Sequence, residues 1–234
     1  MKIENAVVLV TGANRGIGLA FARELLARGA RKVYAAARNP LTITLPGVQA
    51  LQLDVTKPDE VAAAAKHAAD VTLVINNAGI AQPGGFLAQD SEAVARRIFE
   101  TNFFGVLSMS KAFAPVLKAN GGGALLNVLS VASWLNGGEL AAYSASKSAA
   151  WSLTNALRHE LATQKTQVMG LHMAYVDTDL TRGFDVQKSS AEDIVQRALN
   201  GLEAGADEVL ADALTQQVRQ GLEAPRPVYL PQAK

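Results

Sequence analysis

The chain has 234 residues, 49% hydrophobic and 18% charged, which fits one large domain or two small ones, supplies a core, and excludes disorder as the global state. Lys and Arg number 22 against 21 Asp and Glu, a net charge of +1 without the basic excess of a nucleic-acid binder. No cysteine is present, which excludes disulfides, thiolate catalysis and cysteine metal sites.

In chain order, residues 6–11 read as a buried strand ending at glycine, and 17–28 as an amphipathic helix. Strands follow at 32–37 and 48–53. Thr56 can cap the next helix, with Pro58 in its first turn, and that helix runs to about residue 69. A fourth strand is expected at 71–76. One long or broken helix is expected over 91–120, with Pro115 as its kink. A strand at 124–129, a helix at 141–164 and a strand at 167–173 come next. A helix at 190–202, a short strand at 208–211 and a helix at 212–221 complete the pattern. The tail, 224–234, holds three prolines and is expected to be extended.

Nearly continuous apolar strands separated by helices predict an α/β, Rossmann-type doubly wound domain. Its mainly parallel, seven-stranded sheet carries helices on both faces. Residues 1–234 form one domain in this reading. No export signal opens the chain. The longest uncharged stretch, 119–138, has ten Gly, Asn or Ser in 20 residues, a poor membrane span. The expectation is a cytoplasmic protein with no membrane or nucleic-acid partner. His67, His159 and His172 match no metal-ligand spacing, so no metal is expected.

The first strand runs into Thr11-Gly12-Ala13-Asn14-Arg15-Gly16-Ile17-Gly18, and a helix follows. Glycines let a pyrophosphate approach the backbone, and free amides at the helix start favour its charge. Further along stand Asn76-Asn77-Ala78-Gly79 and Tyr143-Ser144-Ala145-Ser146-Lys147. These three motifs, in this order, closely resemble the short-chain dehydrogenase/reductase family, in its compact single-domain branch. The resemblance covers about residues 8–178.

The second strand ends at Ala37-Arg38, and no acid occurs between residues 29 and 53. A carboxylate there would accept from the ribose 2′-hydroxyl of NAD. Arg15 and Arg38 instead could clamp a 2′-phosphate, and the resemblance implies NADP(H). Both could also be solvated surface arginines. By resemblance Asp54, with Val55 after it, meets the adenine; Asp54 could otherwise cap the next helix. Gly12, Asn14, Gly16, Ile17, Gly18, Asn76, Ala78, Gly79, Val176 and Thr178 complete the expected dinucleotide set, with Tyr143 and Lys147.

Tyr143 and Lys147, four apart, share a helix face. A carbonyl reductase needs a proton donor for the developing alkoxide, and a nearby ammonium should lower the tyrosine pKa from about 10. By resemblance Ser130 donates to the substrate carbonyl, with Ser133 as its local competitor. Asn102 would hold a water beside the lysine, or serve as a helix-distorting structural amide, or both.

The sequence departs from the family after the sixth strand, where Ala174-Tyr175 replaces Pro-Gly while Thr178 is kept. Trp134, Leu135, Tyr175 and Phe184 are expected to wall the substrate pocket; core packing is the alternative for Trp134. Trp151 reads as core or subunit interface. The C-terminal part lacks the glycine-rich turn that many relatives use in tetramers, so a homodimer is expected ahead of a homotetramer. The first functional expectation is NADPH-dependent reduction of an apolar or aromatic ketone or aldehyde. The alternatives are a reductase of carrier-bound 3-oxoacyl groups and a non-catalytic NADP-sensing protein.

Overall fold

The computed structural model describes residues 1–231. Seven parallel strands form one sheet: β1 (Val7–Thr11), β2 (Lys32–Ala37), β3 (Gln49–Gln52), β4 (Leu73–Asn76), β5 (Ala124–Val128), β6 (Gln167–His172) and β7 (Glu208–Leu210). Their spatial order is β3-β2-β1-β4-β5-β6-β7. The order reverses between β1 and β4, so the loops leaving those strands diverge and open a crevice.

The inner strands are mainly apolar because both faces are covered, while the edge strand β3 is largely exposed. In β1, Val8 and Val10 face α1 (Gly16–Ala27) and α6 (Ala191–Glu203), with Phe21, Leu25 and Ile194 in that layer. Val7 and Leu9 face the opposite layer. There Val61 of α2 (Pro58–His67), Met109 and Phe113 of α4 (Gly105–Ala119) and Leu157 of α5 (Ala141–Glu160) close the core. Among the described residues no helix is long and apolar enough to cross a membrane.

Four local expectations change. Thr56 does not cap α2, which begins at Pro58 with Lys57 before it; its hydroxyl donates to Asp54 Oδ1 at 2.7 Å. The expected helix over 91–120 divides into α3 (Ser91–Phe99) and α4, joined by a π-helical turn, Glu100–Phe104. The break falls there and not at Pro115. At its end Gly105 lies so close to Val55 that a Cβ would come within 2.7 Å of Cγ2. The helix expected to Gln164 stops at Glu160 and tightens into a short 3₁₀ turn ending at Lys165 in the left-handed region.

The fourth change is in the tail. Beyond α7 (Ala213–Gly221) the chain turns and is not extended. Val228 N donates to Gly221 O at 3.1 Å, and Leu230 N to Pro227 O at 3.0 Å. Gly221 permits this, since a Cβ there would lie 2.2 Å from Val228 Cγ1. The last part of that stretch, 232–234, lies outside the described residues.

Phe21 is fully buried, so Phe21→Ala opens a cavity in the α1–α6 layer and is expected to cost about 3–5 kcal/mol. Urea unfolding should show a lower midpoint with an unchanged slope.

Candidate active site

The crevice at the sheet reversal is a cavity of about 830 Å³, within the range of cofactor sites. Two loops form its floor. The Thr11 hydroxyl accepts from the amides of Asn77 and Ala78 at 3.0 and 2.9 Å and donates to Ile75 O at 3.3 Å. Asn77 Nδ2 returns bonds to the carbonyls of Thr11 and Gly12 at 2.8 and 3.2 Å. Gly18 sits beneath this stitch. A Cβ there would lie 2.2 Å from Gly12 O, so only glycine lets α1 start this close to the loop. Gly12 has φ +65°, where L side chains are strained, and a Cβ would meet Ala78 Cα at 3.1 Å.

No side chain caps α1, and its first residues, Gly16 and Ile17, line the cavity with Gly12, Asn14 and Arg15. Uncapped helix amides suit a phosphate. Arg38, Asp54 and Val55 also line it, as do Ala78, Gly79, Val176 and Thr178. A dinucleotide therefore fits the residues present. Arg38 is exposed. Arg15 is ion-paired with Asp179 at 2.8 Å, both side chains being exposed. The Asp54 carboxyl is partly desolvated, which raises its pKa, yet two bonds from Thr56 and the charges of Arg38 and Lys57 hold it below the usual range.

Ser130, Tyr143 and Lys147 all line this cavity. Ser130 follows β5 as the cap of a short 3₁₀ turn, its Oγ accepting from Ala132 N at 3.1 Å. Ser133 is buried outside the cavity lining. Lys147 Nζ lies 5.8 Å from the centre of the Tyr143 ring and donates to Val128 O at 2.7 Å. Burial raises the Tyr143 pKa, and the facing Ser130 hydroxyl pulls it back only in part. This reverses the expected direction. Lys147 is itself buried, and desolvation lowers its pKa to about 8.

Three other expected dinucleotide or catalytic positions lie behind the wall. Asn76 is buried and donates to Asn127 Oδ1 at 2.8 Å, opposite it in the β4–β5 register. It is Asn77 that reaches the cavity. Gly18 packs under the loop. Asn102 is fully buried in the π-helical turn. Its Oδ1 accepts from Ile80 N and its Nδ2 donates to Ile80 O, both at 2.9 Å, and to Ser146 Oγ at 3.0 Å. Ser146 Oγ in turn donates to Tyr143 O at 2.7 Å. Asn102 thus ties the loop after β4 to the helix that carries Tyr143.

The expected substrate wall is not where Trp134, Leu135, Tyr175 and Phe184 lie; none of them lines the main cavity. Trp134 stacks on the buried His172 ring at 4.0 Å and meets Trp151 edge-on at 6.0 Å. Tyr175 packs on Phe184 at 5.5 Å and, together with Ala174, borders a separate cavity of about 510 Å³. Its φ is not positive, so this backbone does not require the family glycine. Ile80, Ala81, Met173, Ala174 and Leu180 border the cavity instead. No motif marks them; the strand-end positions of Met173 and Ala174 were the available signal.

In the free protein the Lys147 amine should titrate near pH 8, against an ordinary value of 10.5; ¹⁵N NMR of labelled lysine reads this directly. Between those pH values the unfolded chain keeps a proton that the folded chain has lost, so this group makes stability rise with pH there. Lys147→Met should remove that contribution from the pH–stability curve.

The family model described as short chain dehydrogenase matches residues 6–189. A D-erythrulose reductase from Gallus gallus is 37% identical over 213 residues, covering 88% of this chain and 85% of that protein. A 3-oxoacyl-(acyl-carrier-protein) reductase FabG from Vibrio cholerae is 30% identical over 200 residues, 82% of each chain. A crystal structure of a short chain dehydrogenase from Burkholderia cenocepacia in complex with NADP superposes with a TM-score of 0.92 at 43% identity, covering 97% of this chain and 96% of that one. The protein belongs to the short-chain dehydrogenase/reductase family of NAD(P)-dependent oxidoreductases.

Proposed function

We propose that the protein is an NADPH-dependent reductase of ketones or aldehydes. The convergence of Ser130, Tyr143 and Lys147 on the cavity that begins at the glycine loop carries this reading. Bound there, the reduced dinucleotide supplies the hydride. Tyr143 supplies the proton from Oη to the carbonyl oxygen. Its burial keeps the phenol protonated, the form that a reduction consumes. Ser130 Oγ orients the carbonyl oxygen. Lys147 supports the tyrosine and meets the nicotinamide ribose. Asn102 acts through Ser146 and Ile80 as a positioning residue.

Arg38 and Arg15 take the 2′-phosphate. Arg15 must leave Asp179 to do so, and an exposed pair of this kind is worth only ~0–1 kcal/mol. Gly12, Gly16 and Ile17 would hold the pyrophosphate, and Asp54 and Val55 the adenine.

The substrate is an apolar carbonyl compound in this reading, because Ile80, Ala81, Met173, Ala174 and Leu180 offer carbon surface to the cavity. The aromatic preference expected from Trp134 and Phe184 loses its basis. Similarity to the Vibrio cholerae reductase favours a second reading, carrier-bound 3-oxoacyl groups. Turnover of a simple ketone series against 3-oxoacyl thioesters, with NADPH consumption as the signal, separates the two.

Tyr143→Phe loses the proton and little of the packing. Reduction should fall by ~10²–10⁴-fold with the NADPH dissociation constant nearly unchanged; wild-type turnover would overturn the mechanism. Joint replacement Ala37→Asp and Arg38→Leu should shift the preference from NADPH toward NADH, because the carboxylate repels a 2′-phosphate and accepts from a 2′-hydroxyl. The kcat/KM ratio for the two cofactors measures this, and a parent enzyme that already prefers NADH would refute the role of the arginines.

A further inference from the structure

We propose that His172 is a positioning residue for Ser130: a buried imidazolium that donates to the Ser130 carbonyl from one nitrogen and to the Glu208 carboxylate from the other. His172 ends β6 and is fully buried. Its Nδ1 lies 3.2 Å from Ser130 O. Its Nε2 is sealed from solvent without a hydrogen bond of good geometry, and the Glu208 Oε1 it faces is 3.5 Å away.

Both oxygens are acceptors. A carbonyl has no proton to give. The charge on Glu208 has partners other than the ring: Trp151 Nε1 donates to its Oε1 at 2.9 Å, and Arg158 and Arg219 each stand 3.8 Å from the carboxylate. A neutral imidazole carries one N–H and one lone pair. Either tautomer therefore turns a lone pair of this fully buried ring toward an oxygen, and a buried acceptor facing an acceptor is costly. Protons on both nitrogens remove the conflict.

The neighbours from each packed element fit this charge. Glu208 comes from β7, and Trp151 of α5 donates to its Oε1 at 2.9 Å. Arg158 of α5 and Arg219 of α7 each stand 3.8 Å from that carboxylate, farther than His172. They oppose a third cation, but Arg219 is 39% exposed and solvent screens it. The Trp134 indole lies flat on the His172 ring at 4.0 Å, and an aromatic face attracts a cation.

The consequence is local. Ser130 O also accepts from Ser133 N at 3.0 Å. With His172 in place, two donors fix the peptide whose side chain faces Tyr143. The effect on turnover rests on the reductase reading; the protonation state does not.

The test begins with ¹⁵N–¹H NMR of histidine-labelled wild-type protein at pH 7. His172 should show protons on both ring nitrogens, and an unprotonated nitrogen overturns the proposal. In Glu208→Gln the second proton should be lost at the same pH. A ring that stays doubly protonated removes Glu208 as its counter-ion and overturns the proposal too.

His172→Phe keeps a flat ring against Trp134 and removes both donors. Its kcat should fall on the order of ten- to a hundred-fold, with NADPH affinity within about two-fold, and His172→Gln should recover part of the loss. Wild-type kcat in His172→Phe refutes the positioning role. If His172→Phe does not fold, the two NMR spectra still decide the imidazolium, and Gln against wild type decides positioning. If the wild type reduces no carbonyl compound, the reductase reading fails while the NMR result stands.

Discussion

The site depends on one stitch between two loops. Where the sheet reverses its order, the chain leaving β1 and the chain leaving β4 diverge, and nothing in the strand ladder holds them at a fixed spacing. The Thr11 hydroxyl and the Asn77 carboxamide do so, with bonds to backbone groups of the opposite loop. The stitch fixes the height of the glycine loop, and Gly18 lets α1 begin directly above it. The uncapped start of α1 then points into the crevice.

A second set of buried polar contacts carries this frame to the reacting side chains. Asn102 reaches from a widened helical turn to Ile80 on one side and Ser146 on the other. An ordinary α-helical course offers no extra residue for that reach. Asn127 bridges Asn76 and Thr154, joining two strands to α5 through the core. These bonds lie in the core, so they stabilise one geometry and penalise slippage. Tyr143 and Lys147 are consequently set by helix packing as much as by their own spacing.

The wall behind Ser130 obeys a different constraint. β6 must place His172 in the core and Met173 and Ala174 at the crevice. Trp134 then closes over the imidazole, and Tyr175 packs on Phe184. An aromatic residue next to a reactive loop is thus drawn into packing when a flat buried ring lies beside it. The carbon surface near Ser130 and Tyr143 comes from small or flexible residues, so the cavity owes its shape to backbone course more than to bulky walls.

The sequence by itself determined the parallel sheet covered on both faces, the glycine loop, and the Tyr143–Lys147 face, because each rests on patterning within single elements or one turn. Hydrophobic runs report burial on both faces, and a four-residue interval reports a shared helix side, whatever the rest of the chain does. Tertiary structure alone decided that Asn77 and not Asn76 meets the cavity, since that depends on which strand lies opposite. It decided the break at residues 100–104, where close approach of Gly105 to Val55 and the reach of Asn102 outweigh the kink expected at Pro115. It decided the tyrosine environment, because desolvation depends on everything packed around the ring. It also decided the fate of Trp134, whose direction is set by a histidine 38 positions away in the chain and 4.0 Å away in space. Contacts between distant segments leave no period in the sequence, and it is these contacts that choose between neighbours a residue apart.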